Sequence, residues 1–238
     1  MGNAARLESK QLQYEEESIM SKLTLVIGNK NYSSWSLRPW LLLRHAGIPF
    51  DEVRVPLYRP DSVEPLARLS PSGLVPVLHD GDLRVWDSLA ICEYVNERFP
   101  EKQLWPLDQE ARAAARSASA EMHAGFTGLR QHMCMNIRAR YPGKGRTPQS
   151  EKDIARILAL WAECRARYGQ DGDFLFGRFS IVDVFYAPVV LRFQTYGVPL
   201  EGAAMAYGDA LLALPALQAW IADAQTEAER IEKFDLND

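Results

Sequence analysis

The chain has 238 residues, of which 47% are hydrophobic and 24% charged, with a formal net charge of −4. This is the balance of a globular protein with enough length for one large domain or two modest ones. It argues against a nucleic-acid binder, whose basic residues would be in excess and clustered.

Cys92, Cys134 and Cys164 are far apart and form no CxxC, which argues against a disulfide framework or a zinc site. No apolar run reaches the ~18–20 residues of a membrane span. The opening "MGNAARLESKQLQYEEESIM" lacks the apolar core of a signal peptide, so residues 1–20 read as a flexible tail and the cytoplasm as the expected location.

"LTLVIG" (Leu23 to Gly28) is short, apolar and β-branched, as a buried strand would be. Next comes "NYSSWSLRPW", with Ser33, Ser34 and Ser36 at a strand-to-helix junction, and then a helix closed by Gly47. Pro39 suits the first turn of that helix, where its missing N–H costs nothing. "FDEVRV" (Phe50 to Val55) alternates apolar and polar, so the start reads β-α-β with parallel strands. A short helix is expected around Ser62 to Leu69. In "LVPVLHDGDLRVWDS", two apolar segments flank Asp80-Gly81, the strongest short hairpin signal. Pro76 stands near the head of the first strand, and Asp87 or Ser88 caps the helix "SLAICEYVNERF".

Past Pro106 the chain turns alanine-rich and helical, without a convincing strand. The loop "YPGKGRTPQS" (Tyr141 to Ser150) separates two long helices. "MHAGFTGLRQHMCMN" (Met122 to Asn136) falls on the first of them, with His123, Phe126, Arg130 and Met133 near one face. Ser180 and Asp183 have the spacing of a capping box.

The β-α-β-α-β-β-α order followed by helices resembles the glutathione S-transferase family. "SSWSLR" resembles the serine motif of its zeta-class and related bacterial-type members. "SGLVPVL" resembles its cis-proline segment, Asp87-Ser88 its acid–serine pair, and "FSIVDVFYAP" its helical-domain capping segment. The resemblance runs from about Leu23 to Phe234 and implies a thioredoxin-like domain over 21–104 and an all-helical domain over 105–238.

It further implies a homodimer that takes glutathione and a small electrophile, without a metal, for conjugation in detoxification or for isomerisation. A transferase-like binding or regulatory protein is the alternative. Glutathione's thiol needs a hydroxyl donor and a helix N-terminus to ionise near neutral pH. Ser33 lies five residues before Arg38, the family's offset for the activating hydroxyl. Ser34 is its competitor, Tyr32 a rival, and Ser36 the expected cap. Val75 ahead of Pro76 would pair with glutathione's cysteine residue. Ser88 would bind the γ-glutamyl carboxylate, and Asp87 the ammonium. His123, Phe126, Arg130 and Met133 are the candidates for contact with the electrophile, between the domains. Trp35 stands where zeta-class isomerases usually carry cysteine, and Leu74 where a basic or polar residue is frequent.

Overall fold

The computed structural model of the chain describes residues 22–236. The expected tail over residues 1–20 lies outside the described residues. Strands β1 (Thr24–Ile27), β2 (Asp51–Arg54), β3 (Val77–Asp80) and β4 (Leu83–Trp86) form one sheet in the order β2-β1-β3-β4. β1 and β2 are parallel, while β3 is antiparallel to β1 and to β4.

The β1 side chains show why it lies inside. Leu25 and Ile27 belong to the main core, with α1 (Ser34–His45) and α3 (Ser88–Arg98). Val26 points the other way, into a small cluster with Val55 and Val77 that Leu66 and Leu69 of α2 (Val63–Leu69) cover. A strand covered on both faces must be apolar at every inner position.

The first helix departs from expectation. It starts at Ser34 because Ser33 caps it, accepting from the Ser36 N–H at 3.3 Å. Ser36 is therefore inside the helix and does not cap it; its Oγ accepts from the Gly28 N–H at 3.1 Å. Pro39 in turn lies beyond the first turn. The three serines are all buried, so which one caps depends on tertiary fit that local pattern does not carry.

The rest is helical: α4 (Gln109–Ala124), α5 (Thr127–His132), α6 (Pro148–Tyr168), α7 (Ile181–Tyr196), α8 (Gly202–Leu212) and α9 (Pro215–Thr226). The expected single long helix through Asn136 is broken. α4 ends at Gly125, where a Cβ would stand 2.7 Å from the Glu121 carbonyl oxygen, and Phe126 takes φ 56°. Gly128 then lets α5 lie against α6, since a Cβ there would be 2.7 Å from the Gln149 backbone. His123, Phe126, Arg130 and Met133 thus do not share one helical face.

α7 is buried nearly all round and packs on both α1 and α4, so it couples the sheet half to the helical half. The Ser180–Asp183 capping box is present. Asp183 also accepts from the Leu175 N–H (3.3 Å) and the Tyr207 hydroxyl (3.1 Å). Beyond α9 the chain returns to the sheet half, where the Glu227 carboxylate accepts from the Lys30 and Asn31 N–H groups at 2.6 and 3.0 Å.

Candidate functional site

Three chain segments meet at one cavity of about 860 Å³. The β1–α1 junction brings Tyr32, Ser33, Ser34 and Trp35. The turn before β3 brings Leu74, Val75 and Pro76. The start of α3 brings Asp87 and Ser88. All six residues expected to contact glutathione therefore line one space, with Arg130 from the helical half. A second cavity of about 600 Å³, beside His45, Trp105 and Phe179, contains none of them.

The Val75–Pro76 bond is cis, as the resemblance implied. Val75 lies just outside the ladder that begins at Val77 and lines the cavity. Asp87 sits at φ 74° and caps α3, with Oδ1 accepting from the Leu89 and Ala90 N–H groups at 2.8 and 3.3 Å. Ser88 occupies the first helical position, where the N–H has no intrahelical partner. Its Oγ accepts from Arg38 Nη1 at 3.1 Å.

The serines divide their protons unequally. Ser33 Oγ donates to Ser36 Oγ at 2.8 Å. Ser34 Oγ accepts from Arg192 Nη2 at 3.2 Å and has no acceptor for its own proton among the described residues. Both hydroxyls stand at the N-terminus of α1, whose partial positive charge favours an anion. Tyr32, the rival, points away: its hydroxyl donates to Asp235 at 3.1 Å and lies 3.3 Å from the Arg138 guanidinium.

Beneath the cavity lie three guanidinium groups, Arg38, Arg130 and Arg192, none of which forms an ion pair among the described residues. Burial, before all else, lowers the pKa of each, that of Arg38 to about 9 and that of Arg192 to about 10. Trp35 is shared by two of them, with Arg38 4.4 Å and Arg130 4.8 Å from its ring centroid. His123 meets the same ring edge-on at 5.2 Å and approaches Asp87 Oδ2 at 3.3 Å. Burial lowers the pKa of His123, Asp87 opposes that, and Arg38 and Arg130 reinforce it.

The four electrophile candidates are not alike. Arg130 lines the cavity, its Nε donating to the Gly125 carbonyl at 2.9 Å and its Nη2 to the Met122 and His123 carbonyls. His123 stands behind Trp35 and Asp87. Phe126 and Met133 are buried core residues, outside the cavity wall.

Several site residues are absent from the sequence expectations. Arg38 served there only as a marker of register. Arg192 is one of two charged residues in the mostly apolar helix "IVDVFYAPVVLRFQTY", and that isolation is a readable signal. Phe234 arrives from the chain end to meet Tyr32 and Tyr58, with ring centroids 5.8 and 5.5 Å apart, and nothing local to residue 234 announces it. Among the described residues, no group of three or more His, Cys, Asp or Glu is placed to hold a metal ion.

Comparison with known proteins matches the profile of the glutathione S-transferase N-terminal domain over residues 32–98 and that of the C-terminal domain over residues 147–223, together more than half of the chain. Glutathione S-transferase Z1 of Arabidopsis thaliana is 26% identical, over 84% of this chain and 94% of its own. A stringent starvation protein A homolog of Haemophilus ducreyi is also 26% identical, over 68% and 72%. Among solved structures, a glutathione transferase homolog from Burkholderia with bound glutathione superposes with a TM-score of 0.67 at 21% identity, covering 87% of this chain and 100% of that one. That likeness bears on the fold.

Proposed function

The chain belongs to the glutathione S-transferase family, and from that premise we propose that it activates the glutathione thiol with a serine hydroxyl for attack on a small electrophile. One observation carries the reading. The serine junction, the Val75 backbone and the Asp87-Ser88 helix start come from three separate segments and line one cavity.

The tripeptide lies along these three features. Its γ-glutamyl carboxylate meets the Ser88 N–H and Oγ, with the Arg38 charge behind them. Its ammonium meets Asp87 Oδ2, the oxygen that does not cap the helix. Its cysteine residue pairs with the N–H and C=O of Val75 as a short antiparallel strand. The sulfur then reaches Ser33 and Ser34 at the N-terminus of α1, where a hydroxyl donor and the helix field both favour thiolate. The thiol proton leaves to solvent, and the thiolate attacks the electrophile against Trp35, Arg130 and Phe234. In conjugation the leaving group departs. In isomerisation the adduct rotates about its former double bond and expels the thiolate again. Similarity to the Z1 transferase supports the second course, and Trp35 sets this wall apart from those with a cysteine there. Cytoplasmic location and a homodimer accompany the reading.

A relative that is named for stringent starvation and not for glutathione transfer prompts a second reading, a protein that keeps the fold without turnover. Calorimetry with glutathione, together with conjugation of a chloro-nitroaromatic by wild type, Ser33→Ala and Ser34→Ala, separates the two. Binding with turnover supports the transferase, and binding without turnover on a broad panel of electrophiles supports the second reading. Absence of binding at millimolar glutathione contradicts serine activation of this thiol.

A further inference from the structure

Arg192 is a buried cation whose charge no carboxylate answers among the described residues. It sits one turn before the end of α7, after the apolar run from Val184 to Leu191, and is 5% exposed. Nη1 donates to the Met133 carbonyl and Nη2 to Ser34 Oγ. No carboxylate approaches within ion-pair distance among the described residues. The titratable and charged groups around it are Arg38 of α1, Arg130 of α5, Cys134 just after α5, and Tyr196 one turn on. The Tyr196 hydroxyl is turned to the Cys134 carbonyl at 3.1 Å. Two of those four are cations, so the pocket deepens the cost of the charge.

A buried cation without a counter-ion is costly, and a neutral donor could serve the Met133 carbonyl without that cost. Such a charge is kept where an anion arrives from outside. Arg192 faces the cavity, and Ser34, the side chain it donates to, lines the same cavity with no acceptor for its own proton among the described residues.

We propose that Arg192 is a positioning residue for thiol activation, holding Ser34 as a donor toward the glutathione sulfur and supplying the positive charge that offsets the thiolate. The inference rests on the reading of the cavity as a glutathione site. An Oγ that accepts from a guanidinium has only its own proton left to offer, and the charged donor polarises that proton further. Neither residue gives up a proton: the thiol's proton goes to water, the serine donates a hydrogen bond, and the arginine remains charged. Ser33, committed to Ser36, has the supporting part of capping the helix. The arrangement joins the halves of the molecule, because the hydroxyl sits on α1 and the charge on α7.

The test uses the full chain with Arg192→Met, Arg192→Lys, Ser34→Ala and the double variant Arg192→Met/Ser34→Ala. S-methylglutathione, which has no thiol to ionise, reports binding. Thiolate absorbance of bound glutathione against pH reports activation. The expected result is S-methylglutathione binding close to wild type in every variant, with the thiol pKa raised by about one unit or more in Arg192→Met and in Ser34→Ala, tenfold in thiolate. Arg192→Lys should recover part of the shift, and the double variant should lose less than the sum of the two single losses. An unchanged thiol pKa in Arg192→Met, or additive losses in the double variant, would overturn the proposal. Should Arg192→Met not fold, a wild-type thiol pKa in Ser34→Ala does so alone. Failure of the wild-type protein to bind S-methylglutathione overturns the glutathione reading and this proposal together.

Discussion

Asp87 has one task that the structure shows and one that is proposed for it, and a single substitution can separate them. Oδ1 caps α3 through the Leu89 and Ala90 N–H groups, and Oδ2 faces the cavity beside His123. Asn caps as well as Asp and is among the residues that best tolerate a positive φ, here 74°. Asp87→Asn should therefore leave folding stability within ~0.5 kcal/mol. The carboxylate charge, however, is lost. A hydrogen bond to a charged group contributes ~1.5–3 kcal/mol, and 41% exposure of the Asp87 side chain places this one at the lower end. About 1.5–2 kcal/mol is roughly a 10- to 30-fold loss of affinity. Calorimetry with S-methylglutathione measures it. An analogue without the α-amino group should bind wild type and variant alike, because it offers nothing for the charge to hold. Equal affinity of both proteins for S-methylglutathione, with both fully folded, would refute the assignment of Asp87 to the ammonium.

Asp183→Ala leaves the Ser180 and Leu175 N–H groups and the Tyr207 hydroxyl buried without an acceptor. Roughly 3–5 kcal/mol of stability should be lost, read as a fall in the urea midpoint, and a loss under ~1 kcal/mol would show that the box is dispensable. His123 carries a pH dependence. Its pKa in the fold lies below the usual value, chiefly through burial, so the unfolded chain takes up the proton first. Stability should be complete above about pH 6.5 and fall on acidification toward the folded pKa. His123→Gln should flatten the urea midpoint in that window, and an unaltered slope would contradict the cause. Phe234→Ala removes an aromatic wall of the cavity. The KM for an aromatic electrophile should rise about fivefold, for ~1 kcal/mol, with the KM for glutathione unchanged. An equal rise in both would move Phe234 out of the electrophile's wall.

Much of the fold was legible because its signals are local. Asp80-Gly81 marks the hairpin, Asp87 the start of α3 and Ser180–Asp183 the start of α7, each through chemistry contained in four or five residues. The six candidates that line the cavity were readable for a related reason, since each sits at the end of an element that pattern locates. What pattern misplaced depends on contact between distant parts. Ser33 rather than Ser36 caps α1 because Ser36 is taken by the Gly28 N–H. The helix through Met122 to Asn136 breaks at Gly125, and Gly128 allows α6 to come close. Arg192 and Phe234 reach the cavity from 158 residues beyond Ser34 and from the end of the chain, respectively. Periodicity assigns a residue to a face and does not say which residue will meet it there.

The state of the thiol is the property on which the account depends. Titration of wild-type protein saturated with glutathione, followed by thiolate absorbance, measures it without any choice of electrophile. The account predicts saturable binding and a thiol pKa well below the ~8.5 of a free cysteine thiol, with most of that difference lost in Ser34→Ala. A bound thiol that titrates as it does in free solution would contradict serine activation at this junction.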